Sequence, residues 1–186
     1  MDAARKDPMP LVSIPSRNIA FDAHDLVSRV RRGRLLVSPS YQRMSVWSTE
    51  QRQALVKSWL MGLPIPAVVV NDRVKAGAPL RPDAPTAAVV DGKQRIETAV
   101  AWMSNELHVP ADWFRDQDVA TATEDGLVSW DSLTGQGQRM PMPIPMVETY
   151  VKTEADEAAL FLLLNASGVS QTDDDFARAR TIAQEA

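Results

Sequence analysis

Apolar residues recur along this chain at two spacings, and the change from one to the other marks its elements. In "STEQRQALVKSWLMGLPIP", Leu55, Trp59 and Leu60 share a helical face. Ser48 and Gln51 form a capping box there, and Gly62 with Pro64 stops the run. A second helical pattern, "FDAHDLVSRVRRGRLL", has Asp22 as its cap, Leu26, Val27 and Val30 on one face, and Gly33 as its end. "LVSIP" predicts a short strand that stops at Pro15, and "SPSYQRMSVW" has no period and predicts a loop. The β-branched run "AVVVND" predicts a buried strand, and "KAGAPLRPDAPT" a proline-rich surface loop. "AAVV" is the next strand, with "GKQRIETAVAWMSNEL" as the helix behind it.

The remainder is less regular. Residues 108–140 carry scattered aromatics, with "LVSW" as a short strand and "TGQGQ" as a turn. "MPMPIPMVETYV" mixes prolines into an apolar run and predicts an extended edge segment. "TEADEAALFLLLNASG" predicts a helix capped by Thr153, and "TDDDFARARTIAQEA" begins another. The expected core comprises Trp59, Leu60, Val68, Val70, Val89, Ile96, Val100, Leu160 and Leu163. The alternation predicts one mixed α/β (α+β) domain over residues 11–186, behind a loose polar tail at 1–10.

Composition narrows the chemistry. A chain of 186 residues suits one domain with a sizeable core. Its net charge of −4 gives no general attraction for nucleic acid, so any such contact needs a local patch. There are no cysteines, which excludes disulfides, thiolate nucleophiles and cysteine-ligated zinc. His24 and His108 are the only histidines, too few for a histidine-built metal centre. The start, "MDAARKDPMP", has no apolar signal core, and no apolar run reaches membrane-spanning length. A cytoplasmic protein with no membrane partner is expected.

The candidate chemistry lies in "VVDGKQR", residues 89–95, where a buried strand gives way to a helix. The first-turn N–H groups of a helix lack internal acceptors and carry the positive end of its dipole, which suits an anion. Gly92 allows close backbone approach, Lys93 adds charge, and Arg95 offers a fork matched to phosphate oxygens. Gln94 can place a water or a phosphate oxygen, and Asp91 can hold a divalent ion or orient an attacking group. A plainer alternative has Asp91 capping the helix while Lys93 and Arg95 are solvated surface charges. A second QR pair, Gln42–Arg43, also precedes a helix, which favours one convergent basic site. An arginine facing an empty anion site is expected to have no buried partner, so its loss should barely change stability.

The order "YQRMSVW", "LVKSWLMGLPIPAVVV", "VVDGKQR", "LFLLLNASG" resembles the N-terminal domain of GmrSD-type restriction systems, within the ParB/sulfiredoxin superfamily. The likeness runs over residues 11–172. The family hallmark is DGQQR. This chain has Lys93 at the first glutamine and Glu97 where a small or hydroxyl residue is frequent, which sets an acid near the expected phosphates. The resemblance implies a compact ParB/sulfiredoxin-like fold around a nucleotide pocket. Asp91, Gln94 and Arg95 would be its catalytic residues, and Gln42, Arg43, Gly92, Lys93 and Asn165 would bind the nucleotide. An NTP of unspecified base and Mg²⁺ are the implied cofactors, with Asp91 as the metal contact.

Three functions follow from the resemblance. The first is a stand-alone NTP-hydrolysing module of a DNA-defence or bacteriophage system, working with DNA or a DNA-processing partner protein. The second is a phosphotransferase acting on a modified base or a small hydroxyl substrate, and the third a non-catalytic nucleotide-binding regulator. The scattered histidines predict no histidine–asparagine–histidine nuclease module, and the length leaves no room for a DNA-reading helix-turn-helix.

Overall fold

In the computed structural model, which describes residues 14–42, 47–139, 142–165 and 181–182, the chain runs β1 (Ser16–Asp22), α1 (Ala23–Arg31), β2 (Leu35–Leu36), α2 (Thr49–Leu60), β3 (Val68–Asp72) and β4 (Ala87–Asp91). It continues through α3 (Lys93–Met103), β5 (Val109–Pro110), β6 (Leu127–Val128), β7 (Pro143–Thr149) and α4 (Glu154–Asn165). One five-stranded sheet has the order β1-β7-β3-β4-β2. The β1–β7 and β3–β4 pairs are antiparallel, while β7–β3 and β4–β2 are parallel. The fold is mixed α/β, as the sequence predicts.

Alternation along the two central strands divides the core. Val68, Val70 and Val89 face one side with Leu26, Val56, Trp59, Ile96 and Trp102 of the first three helices. Val69 and Val90 face the other, against Ala158, Leu160 and Phe161 of α4. Successive side chains of a strand point to opposite faces, so this sheet is covered on both. The local signals at helix ends hold. Ser48 accepts from the N–H of Gln51 and Gln51 returns the bond, while the Asp22 carboxylate accepts from the N–H of His24 at 2.9 Å. Thr153 Oγ1 caps α4 through the N–H of Asp156 at 3.1 Å.

Two expectations are corrected, and two strands stand where none was expected. Residues 140–151 were predicted as an edge segment, yet β7 lies inside the sheet between β1 and β3. Its prolines are tolerated because pairing with β3 begins only at Met146, beyond Pro143 and Pro145. Among the described residues the first strand starts at Ser16, and residues 11–13 of the strand expected up to Pro15 lie outside them. Its polar, largely exposed residues "SRNIAFD" carry little hydrophobic signal. Leu35–Leu36, just past the Gly33 helix end, pairs as a short strand with β4. Leu163, expected in the core, is 67% exposed, whereas Leu60 and Val100 are partly buried against the core. The run "ALFLLL" is apolar all round its helix, so it does not mark which face is buried. The helix expected from residue 172 lies outside the described residues, apart from the helical pair 181–182.

Residues 108–139 form short pieces around buried aromatics. β5 pairs with β6, and the rings of Phe114 and Trp130 pack on Trp102 at centroid distances of 6.5 and 6.0 Å. No helix among the described residues is long and apolar enough to cross a membrane.

At the outer end of the sheet, Glu148 accepts from Lys75 Nζ at 2.7 Å, Tyr150 Oη at 2.8 Å and Arg17 at 3.2 Å. Burial pushes the Glu148 carboxyl up, but the bonds from Lys75 and Tyr150 outweigh it and hold the group below its ordinary value. A depressed folded-state pKa contributes stability above the unfolded value, and that stability is lost as pH falls through the folded value. Urea melts at descending pH should therefore show an acid loss of stability that Glu148→Gln makes shallower. An unchanged acid limb in that variant would remove Glu148 as a contributor.

Candidate functional site

β4 is buried from Ala87 to Val90, and the chain then turns at Asp91 and Gly92 into α3. Gly92 is the N-cap, at φ 92°, and no side chain caps this helix. A Cβ at Gly92 would lie 2.6 Å from Val68 Cγ1 and 2.8 Å from Arg95 Nη2, so the turn admits only glycine.

The Asp91 carboxylate therefore does not cap α3. Its Oδ2 accepts from Arg95 Nη2 at 2.9 Å, and the same nitrogen donates to the carbonyl of Ala67 at 3.0 Å. One guanidinium thus ties the end of β4, the first turn of α3 and the lead into β3 together. Both the capping role for Asp91 and the solvated role for Arg95 are overturned, since the Arg95 side chain is only 14% exposed. So is the expectation that Arg95 has no structural partner. Arg95 Nε is buried without an acceptor, an arrangement that costs free energy unless something meets it.

Lys93 is nearly buried, and its ammonium stands 3.9 Å from Glu97 Oε1, one turn along. The two residues that depart from the DGQQR pattern are therefore partners of each other. Glu97 lines a neighbouring surface cavity with Arg52 and Glu106 rather than the cleft at the α3 start.

Both glutamines of the QR pairs reach this cleft. Gln94 Oε1 accepts from the backbone N–H of Trp47 at 3.3 Å. Gln42 Nε2 donates to the carbonyls of Val89 and Val90 at 2.6 and 2.9 Å, clamping its loop to the end of β4. Arg43 lies outside the described residues. Around the 91–95 turn, Gln42, Trp47 and Phe161 complete a cavity of about 150 Å³. Sites that enclose a drug-sized ligand run to roughly 300–1,000 Å³. The cavity has room for phosphate groups rather than for a whole nucleotide.

Asn165 is not part of this lining. It donates to the carbonyl of Phe161 at 2.8 Å, at the end of its own helix. Phe161 also lines the cavity, though it had no signal within its leucine-rich run. The loop bearing Gln42 is held by Tyr41, whose ring lies 5.8 Å from that of Phe161 and whose hydroxyl donates to Glu157 at 3.4 Å. Burial, with the Glu157 carboxylate beside it, pushes the Tyr41 hydroxyl far above its ordinary value and keeps it a neutral donor. Among the described residues no group of three or more His, Asp or Glu side chains is arranged to hold a metal.

No curated protein matches the chain significantly. The sequence profile described as "GmrSD restriction endonuclease, N-terminal domain" matches residues 23–182, a span holding every element that shapes the cleft. With the DGKQR turn in place at the start of α3, the chain belongs to the GmrSD N-terminal domain family of restriction endonucleases.

Proposed function

We propose that the cleft at the α3 start binds the phosphates of a nucleoside triphosphate and that the domain hydrolyses it within a DNA-defence system. The observation that carries this is the convergence of Lys93, Gln94, Arg95 and Gln42 on one small cavity at an uncapped helix N-terminus. Phosphoryl transfer needs positioning and neutralisation of charge more than covalent chemistry, and these residue types supply both. Lys93 contributes a positive charge held near Glu97. Arg95, locked by Asp91 and Ala67, presents a fixed one. Gln94, steadied by the Trp47 N–H, orients a water or an oxygen of the γ-phosphate without titrating.

Asp91 is the one carboxylate among the residues lining this cavity, and one of its oxygens is engaged by Arg95. That donor set fits Mg²⁺ arriving with the nucleotide, since Mg²⁺ commonly takes one or two carboxylates plus substrate phosphates. The ion would neutralise phosphate charge there. The cavity size leaves sugar and base outside the described pocket.

The test is a melting panel of the common NTPs with and without Mg²⁺, followed by phosphate-release assays. At a ligand concentration of one hundred times Kd, native-state binding adds about 2.7 kcal/mol. Lys93→Ala should weaken affinity roughly tenfold or more, the loss of one charge-assisted bond of about 1.5–3 kcal/mol. Arg95→Ala should weaken affinity similarly and also lower the unliganded melting temperature, because Asp91 and the Ala67 carbonyl lose their donor. Arg95→Lys keeps the charge without the fork and should recover only part of either. No melting shift with any NTP would overturn the proposal. Phosphate loss that depends on an added hydroxyl acceptor would move the domain to the phosphotransferases, and binding without turnover to the regulators.

A further inference from the structure

Four arginines fall within six residues at the end of α1 and just beyond it: Arg29, Arg31, Arg32 and Arg34. Arg31 is used internally, donating to the carbonyl of Met103 at 2.8 Å and to Ser104 at 2.9 Å. The other three line a groove of about 340 Å³ with Phe21, Asp25 and Ser28. Arg29 lies over the Phe21 ring, its Cζ 4.4 Å from the ring centroid. The backbone of Arg34 is pinned to the start of β4, where its carbonyl accepts from the N–H of Ala87 at 3.1 Å.

Among the described residues, Arg29, Arg32 and Arg34 take part in no ion pair. Arg17, Arg73, Arg95 and Arg115 are each paired with a carboxylate. In a chain with 24 acidic and 20 basic residues, leaving three guanidinium groups unpaired around one concavity runs against the average charge. Asp25 is the one acid among the residues that line the groove.

We propose that this groove docks the phosphodiester backbone of a nucleic acid. The guanidinium fork matches phosphate oxygens two at a time, and arginines of this kind position a strand without reading its bases. The groove is lined from β1, α1 and the turn after it, and shares no lining residue with the cleft at the α3 start. With no residue in common, the two can be occupied together. The docking inference does not depend on nucleotide binding.

Fluorescence anisotropy with a labelled random-sequence duplex, its single strands and an RNA of equal length, over a salt series, tests it. The wild-type chain should bind at low salt with a log K against log[salt] slope of about −2 to −3, as three phosphate contacts give. Arg32→Ala with Arg34→Ala should lower affinity tenfold or more and flatten the slope by about two. Both side chains are exposed, so the melting temperature should hold. Arg81→Ala, at an exposed arginine of the proline-rich loop, should change nothing. Failure of all three nucleic acids to bind, or wild-type affinity and slope in the double variant, would overturn the inference. Tighter binding of a polyglutamate peptide than of any oligonucleotide would reassign the groove to an acidic protein partner.

Discussion

Arg73→Ala is expected to lower the folding free energy by about 3–5 kcal/mol, the usual loss when one partner of a buried ion pair is removed. Glu157 is the reason. Its side chain is only 1% exposed, and Arg73 grips both of its oxygens, through Nε and Nη2 at 2.7 Å each. Asn71 adds a bond at 2.8 Å and Tyr41 a longer one at 3.4 Å, but neither brings charge. Without the guanidinium, a buried carboxylate must remain uncompensated or take up a proton. For a chain of this size the loss corresponds to a fall of roughly 6–20 °C in melting temperature.

The companion variant separates charge from packing. Arg73→Met with Glu157→Leu removes both ions and keeps their volume, and exchanges of this kind are often neutral or stabilising. The double variant should therefore melt well above the single one. A double variant as unstable as Arg73→Ala would show that the polar network itself, through Asn71 and Tyr41, carries the stability. Because Tyr41 adjoins Gln42 and packs on Phe161, Arg73→Ala should also weaken whatever the cleft binds.

Gly92→Ala is expected to cost about 2–5 kcal/mol. Roughly 1–2 kcal/mol comes from forcing an L-residue to positive φ, here 92°. About 1–3 kcal/mol more comes from overpacking, because the new methyl would meet Val68 Cγ1 at 2.6 Å. Val68 is fully buried on a central strand and cannot move aside. The methyl would also press on Arg95 Nη2 at 2.8 Å, pushing the guanidinium away from Asp91 and Ala67. Gly126→Ala is the control: its φ is 70°, yet nothing lies within 4 Å of the added carbon. It should carry only the backbone term. Equal losses in urea melts of the two variants would show that Val68 and Arg95 yield at no cost.

The candidate site was legible in part. The glycine turn, the strand before it and the helix after it follow from seven consecutive residues, "VVDGKQR". That Gln42 and Gln94 share a cleft was suggested by two QR pairs at helix entrances, and the two side chains do line one cavity. The partners of Arg95 were not legible. Asp91 looked like a cap because an acid before a helix usually is one, yet Gly92 takes the capping position and leaves the carboxylate to Arg95. The second partner, the Ala67 carbonyl, is 28 residues away and of a type every residue carries.

The same division runs through the fold. By itself the sequence determined the helix of residues 49–60 with its capping box, the starts of α1 and α4, and the two buried strands before and after the proline-rich loop. Each depends on side chains within a few positions, where a cap or an alternation acts directly on its own backbone. Tertiary structure alone decided that β7 lies inside the sheet, that Leu163 of an all-apolar helix faces outward, and that Arg73 closes on Glu157 across 84 residues. These are competitions among distant segments for the same buried surface and the same charge, and the chain resolves them only when the sheet brings the competitors together.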